Sequence, residues 1–353
     1  MNIVSMSITI EKYENQNGIY VLRDDLLPGG TKSILLDSII KRGAMPPSDP
    51  QLQGGVLPPS DPQMNGGAMT PFVNEFVYAS PCYGGFQIAL SIFCKNNNKK
   101  ATIFCAQRKI RHPNTEICIK NGANVIEVPY GYLSVVEKHA REYLRLREPG
   151  FPHTPSLQTK GIILGAGGVL GAQYLAPLVP LKIAFGANSP ESINIIASRA
   201  RRVIETFHTT YGKPPDEIWC AVGSGTLISG ITQAVNEMQG AQCLTPNCQA
   251  LSTTLEKGHV EAVPCSKGSE GTACPLKIYG VQVGKEFKGS NSPNVTIIVY
   301  PKPFEYASKL KVDFPSMQNY DLKAFELCLE YNKNKSITSN IDENKKVLFW
   351  NVL

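Results

Sequence analysis

From residue 75 onward the chain alternates short apolar runs with longer amphipathic ones, and this order most narrows what it can fold into. EFVYAS (75–80), KATIFCA (100–106) and ANVIEVPY (123–130) have the length and the β-branched or aromatic content of buried strands. Helical patterns follow each of them: GGFQIALSIFCKN, PNTEICIKNG (113–122, closed by Gly122) and LSVVEKHAREYLRLRE (133–148). A second series begins with a long helix, SPESINIIASRARRVIETFHTTYG (189–212), with Ser189 as cap, Pro190 in the first turn and Gly212 as stop. It continues with strand DEIWCAV (216–222), turn GSGT (223–226), helix LISGITQAVNEM (227–238) and strand KIYGVQV (277–283). Strands that alternate with helices pair in parallel through crossover connections. The expected architecture is α/β, two doubly wound parallel-sheet lobes with a ligand cleft between them at the strands' carboxyl ends.

The 353 residues, 42% of them hydrophobic, suffice to bury a core in one large or two medium domains. PPSDPQLQGGVL (46–57) repeats as PPSDPQMNGGAM (58–69), a composition that predicts a disordered surface insertion. The expected organisation is an N-terminal segment over 1–42 belonging to the larger lobe, and the repeat insertion over 43–70. A smaller lobe follows over 71–150, then the larger lobe over 151–330, with an irregular insertion at 240–275, and a tail at 331–353. The balance of 35 Lys+Arg against 29 Asp+Glu gives +6. The densest basic group, Arg108, Lys109 and Arg111, lacks the interleaved aromatics of a single-strand binder, so no nucleic-acid partner is expected.

The ten cysteines lie mostly in apolar runs such as ATIFCA and EIWCAV, as reduced thiols do in the cytoplasm. Cys243, Cys248, Cys265, Cys274 and His259 are near one another but lack the paired short spacings of a zinc site, so no metal is expected. MNIVSMSITIEKYE has no basic region followed by an apolar one, so no signal peptide is expected. The uncharged run 161–181 is long enough to span a bilayer. Its five glycines, two prolines and glutamine favour buried loop and strand instead, and no membrane partner is expected.

Four places carry chemistry. In VLRDDLLPGGTKS (21–33), Gly29 and Gly30 allow a tight turn, Thr31 is a candidate cap, and Lys32 enters the first turn of a helix starting at Ser33. The positive end of the helix dipole favours the uncharged, nucleophilic amine, which can condense with an aldehyde cofactor. An ordinary exposed lysine after a glycine turn has the same sequence. Gly223, Ser224, Gly225 and Thr226 join a buried strand to a helix and present backbone N–H groups and two hydroxyls to an anion. A plain strand-to-helix turn is the alternative. The glycines of GIILGAGGVLG (161–171) lack a cap or an acidic partner and read as packing. Ser80, at the end of a strand and before a glycine turn, is placed to bind a carboxylate or move a proton, or simply to cap the turn. In FPSMQNYDLKAFE, Asp321 would keep a pyridine nitrogen protonated and Tyr320 would carry a proton or act as nucleophile; alone, Asp321 reads as a turn residue or cap.

Taken together, Arg23-Asp24-Asp25-Leu26, Gly29-Gly30-Thr31-Lys32, Gly223-Ser224-Gly225-Thr226 and Tyr320-Asp321-Leu322-Lys323 resemble, in order, motifs of a family of fold-type-II pyridoxal-phosphate enzymes. That family comprises 1-aminocyclopropane-1-carboxylate deaminase and D-cysteine desulfhydrase, and its fold is tryptophan-synthase-beta-like. Thr31 stands where Asn is usual, Pro81 follows Ser80 where the family has Asn, and Gln87 lies further along than its counterpart. The resemblance implies that Lys32 is the Schiff-base lysine and that the 223–226 loop holds the cofactor phosphate. It also implies Asp321 at the pyridine nitrogen and Tyr320 near the substrate. The implied activity is a pyridoxal-phosphate lyase or deaminase (a hydrolase by reaction class) in amino-acid metabolism, releasing ammonia and an oxoacid from a small amino acid. A homodimer and a cytoplasmic location go with it. The other reading is a protein of this fold that has lost turnover and binds a phosphorylated small molecule or a protein partner; the repeat and the altered Ser80 segment favour it.

Overall fold

The computed structural model describes residues 7–41, 73–129, 131–147, 180–243, 276–284, 286–287, 289, 292–338 and 344–352. The proline-rich repeat, most of the uncharged run 161–181, and Cys248, His259, Cys265 and Cys274 lie outside them. In chain order the elements are β1 (Ile10–Lys12), β2 (Ile19–Arg23), α1 (Thr31–Lys41), β3 (Glu75–Ser80), α2 (Phe86–Asn96), β4 (Lys100–Ala106), α3 (Pro113–Lys120), β5 (Asn124–Val128) and α4 (Leu133–Arg145). Then come β6 (Leu181–Ile183), α5 (Pro190–Tyr211), β7 (Glu217–Val222), α6 (Thr226–Cys243), β8 (Lys277–Gln282), β9 (Val295–Val299), α7 (Asp321–Thr338) and β10 (Val347–Asn351). Two units divide the chain, one formed by Pro28–Ala187 and one by Ser5–Leu27 with Asn188–Leu353.

The first unit is built on a parallel sheet of four strands in the order β5-β4-β3-β6. Val77 and Ala79 of β3, Phe104 and Ala106 of β4, and Val128 of β5 pack with Val136 and Ala140 of α4. The alternate strand residues point to the opposite face, where Phe76 meets Phe93 of α2 edge-on. At the start of β3, Glu75 accepts hydrogen bonds from Thr102 Oγ1 and from Tyr143 Oη, the latter at 2.7 Å. Burial pushes the Glu75 carboxyl up, but these bonds together with the charge of Lys100 outweigh it and hold its pKa below the usual carboxylate range. A carboxylate with a depressed folded-state pKa contributes stability that is present above its unfolded pKa and lost as pH falls through the folded one. Acid titration of Glu75→Gln should therefore show a shallower loss of stability below about pH 4 than wild type.

The second unit holds six strands in the order β1-β2-β10-β7-β8-β9. β1 runs antiparallel to β2; the other pairs are parallel. Both faces are covered. Along β7, Ile218, Cys220 and Val222 face α5 and α6, whereas Trp219 and Ala221 face Ala324, Phe325 and Cys328 of α7. A strand buried on both sides reads as a continuous apolar run, as DEIWCAV does. The caps of α5 are those its sequence predicts: Ser189 Oγ accepts from Ser192 N at 3.2 Å, and Gly212 ends the helix at φ 82°.

Residues 347–351, part of what the sequence reading treats as a tail, form β10 in the interior of this sheet. β10 pairs with β2 on one side and β7 on the other, and all five of its residues are buried. VLFWN is too short an apolar run for its period to tell strand from helix. Its neighbours in the sheet lie far off in sequence, Ile19 and Glu217 both pairing with Val347.

Candidate functional site

In the first unit, α1 begins at Thr31, two residues before the start predicted at Ser33, so Thr31 is inside the helix and not its cap. The turn before it is left-handed at both glycines, φ 89° at Gly29 and 67° at Gly30. A Cβ on Gly29 would stand 3.1 Å from Ala89 Cα, so the missing side chain lets this turn press against α2. Ser33 fastens the turn by donating from Oγ to Gly30 O at 2.8 Å. Ile34, Leu35 and Leu36 are buried and anchor the helix, while Lys32 in its first turn remains partly exposed.

Ser80 lies at the carboxyl end of β3, fully buried, with its hydroxyl donated to Pro81 O at 2.9 Å. Gly84 makes the following turn possible, because a Cβ there would stand 2.8 Å from Ser80 Oγ. Gln87, in the first turn of α2, donates from Nε2 to Cys82 O at 2.8 Å and Pro81 O at 3.3 Å. Its Oε1 is the only buried side-chain oxygen or nitrogen among the described residues without a partner. Ser80 and Gln87 thus brace the 81–85 loop, which leads into α2 beside the lysine turn. On the outer side of this loop, Asn114 Nδ2 holds Tyr83 O at 2.9 Å, and the Tyr83 ring meets His112 edge-on.

In the second unit, β7 passes through Gly223, Ser224 and Gly225 into α6 at Thr226. Gly225 has φ 87°, Thr226 is buried, and Ser224 Oγ lies 3.1 Å from Thr226 Oγ1. A Cβ on Gly223 would stand 3.0 Å from the Tyr320 ring, and one on Gly225 would overlap the ring of Phe287. Phe287 is held by its own N–H, which donates to Gln282 Oε1 at 3.1 Å. Nothing in the sequence pattern singles out Phe287, since its importance comes only from its place against Gly225. Gly225→Ala combines a left-handed backbone with that overlap. We expect it to lower stability by about 1–2 kcal/mol, as a urea midpoint would show, with only partial recovery in Gly225→Ala/Phe287→Ala.

Tyr320 and Asp321 approach the same turn from α7. The Tyr320 hydroxyl donates to Ala221 O at 3.4 Å. Burial, then the charge of Asp321, raises the Tyr320 pKa far above its ordinary value, so the phenol stays protonated. Asp321 is fully buried in the first turn of α7, where the helix dipole favours a carboxylate, and accepts from Val352 N at 3.4 Å. Burial, followed by Asp321, pushes the Cys220 thiol up to about 12, which leaves it inert. Lys323, the last residue of the Tyr320–Lys323 motif, is also fully buried; it donates to Pro303 O at 2.7 Å and Phe304 O at 3.3 Å.

The structure thus brings Tyr320 into contact with the 223–226 turn, with Asp321 next to it, inside one unit, and sets the Lys32 turn against the helix that follows Ser80 inside the other. Among the described residues, no group of three metal-ligating side chains comes together, and no helix is long and apolar enough to cross a membrane.

No family model matches the chain, and no curated protein matches it. Solved structures do. A 1-aminocyclopropane-1-carboxylate (ACC) deaminase homologue is similar with a TM-score of 0.61 at 11% identity, over 99% of this chain and 90% of that one. A hydrogen sulfide-producing enzyme from Fusobacterium nucleatum gives 0.57 at 13% identity, over 98% and 93%. A cysteine synthase from Entamoeba histolytica gives 0.54 at 12% identity, over 99% and 86%. Parallel sheets flanked by helices, matched over nearly the whole chain, make this the α/β fold of the fold-type-II pyridoxal-phosphate enzymes, tryptophan-synthase-beta-like in architecture.

Proposed function

We propose that this chain is a pyridoxal-phosphate-dependent lyase or deaminase acting on a small amino acid, releasing ammonia and an oxoacid by elimination or ring opening. The observation that carries the reading is the contact of Tyr320 with Gly223, which sets a buried carboxylate, Asp321, beside a glycine turn at a helix N-terminus. The donor set fits the cofactor. The amides at the start of α6, with the Ser224 and Thr226 hydroxyls, suit a phosphate, Asp321 suits a pyridine nitrogen, and Lys32 suits an aldehyde.

When bound, pyridoxal phosphate supplies an electron sink for the bond broken at the substrate's Cα. Lys32 would hold the aldehyde, and its amine would move the proton at the substrate's Cα or Cβ. The 223–226 turn anchors the phosphate and takes no part in bond breaking. Asp321 keeps the ring nitrogen protonated. Tyr320, protonated throughout, orients the departing group by hydrogen bonding and transfers no proton. Ser80 has committed its own proton to Pro81, so it works through the turn it braces, whose N–H groups before α2 receive the substrate carboxylate. No nucleic acid or membrane enters this reading; it takes the protein as a cytoplasmic homodimer.

That commitment of the Ser80 hydroxyl also favours the second reading, a protein of this fold that binds a phosphorylated small molecule or a partner without turnover. Visible absorbance after incubation with pyridoxal phosphate, followed by a panel of D- and L-amino acids assayed for ammonia and oxoacid, decides between them. Release of both products is expected from at least one small amino acid. A coloured protein whose spectrum no amino acid perturbs favours the second reading, and a protein that never takes up the cofactor removes the enzyme.

A further inference from the structure

The end of β10 carries a run of buried polar contacts, most of which the proposed chemistry does not use. Trp350 Nε1 donates to Asp24 Oδ2 at 3.1 Å, and Arg199 grips the same carboxylate through Nε, at 3.2 Å, and Nη2. One residue on, Asn351 donates from Nδ2 to Asp25 Oδ1 at 2.9 Å and to Pro315 O at 2.8 Å, and its Oδ1 accepts from Ser316 Oγ at 2.9 Å. Next, Val352 N–H meets Asp321 Oδ1.

Asn351 is out of character where it stands. Trp350 and Val352 join the core on the α5 and α6 side of the sheet, so strand alternation turns Asn351 to the side of Phe349, whose neighbours are hydrophobic. An amide with no exposed surface costs stability unless its hydrogen bonds are made, and here both donor hydrogens and the oxygen are engaged. Its partners are Asp25, just beyond β2, and the 315–316 turn. Asp25 is itself fixed by Arg23, whose Nε donates to Asp25 Oδ1 at 2.9 Å. A fully satisfied buried network of this kind sets backbone position more than it adds stability.

We infer that Asn351 is a positioning residue for Asp321. By clamping the strand end between Asp25 and the 315–316 turn, it sets the 351–352 peptide whose N–H aims the Asp321 carboxylate. The Arg23–Leu26 motif then has a task of its own, since it supplies the anchor for that clamp. The inference rests on the proposal that Asp321 meets the cofactor's ring nitrogen.

The test uses the full chain loaded with pyridoxal phosphate. Wild type, Asn351→Ala, Asp321→Asn and the double variant are compared for cofactor affinity, for the visible spectrum of the bound cofactor, and for thermal melting. Borohydride fixation of the cofactor on wild-type Lys32 checks the underlying proposal separately. Asn351→Ala is expected to bind pyridoxal phosphate about tenfold more weakly and to move the spectrum in the direction Asp321→Asn does, with no added spectral change in the double variant. Where wild type fixes the cofactor but Asn351→Ala only melts earlier, with an unchanged spectrum, Asn351 is structural and the inference falls alone. Additive spectral changes in the double variant overturn it too. No fixation in wild type removes the enzyme proposal and this one with it. Should Asn351→Ala not fold, Ser316→Ala, which removes one of the clamp's bonds, decides by the same readouts.

Discussion

Lys32→Ala should leave the protein folded and take away covalent capture of the cofactor, so that borohydride treatment labels wild type and not the variant. Turnover of whichever amino acid proves to be the substrate is expected to fall by about 10²–10⁴-fold, the usual contribution of a positioned proton-transfer group, with loss of the covalent role on top of it. The side chain is partly exposed in the first turn of α1, so its removal empties no packed core, and Ile34, Leu35 and Leu36 still hold the helix. Lys323 is no rival, because its ammonium is buried and given to the carbonyls of Pro303 and Phe304. Peptide mapping that finds the reduced cofactor in Lys32→Ala on some other lysine would sink the assignment.

Removing the Asp24 carboxylate should produce the largest loss of stability. Asp24 and Arg199 are buried to 1% and 4% relative exposure, joined by two hydrogen bonds, with Trp350 Nε1 supplying another donor. Breaking one partner of a buried pair strands the other charge away from water, a loss of about 3–5 kcal/mol. Asp24→Ala is therefore expected to unfold at much lower urea concentration, whereas replacing both partners with apolar residues of similar size should recover most of the difference. The chain's two tryptophans, Trp219 and Trp350, are buried in the second unit, so their fluorescence follows the unit in which the pair lies. A midpoint within the error of wild type would mean that water or another acceptor satisfies Arg199 when Asp24 is gone.

These expectations divide by where their warrants lie. The strand–helix order from 75 to 238, the caps of α5 and the glycine turn at 223–226 are written in local residue types, whose preferences act within a few positions and stay legible without the fold. Lys32 and Asp321 are legible in the same way, as residues of short motifs at the mouths of helices. The roles of Asp24, Phe287 and Asn351 are not. Asp24 looks like one more acid in a polar turn until Arg199 and Trp350 close on it. Phe287 looks like a loop aromatic until it is seen against Gly225.

By itself the order of residues determined that this chain forms parallel α/β layers, and which lysine and which glycine turn stand at helix starts, because those outcomes follow from hydrogen bonds and apolar periods over short spans. Only the tertiary structure decided that β10 runs between β2 and β7, and that Tyr320 packs on the 223–226 turn. Those contacts join residues up to some 328 positions apart, Ile19 and Val347 among them, and no local preference encodes a pairing that forms only when the two sheet faces are buried together.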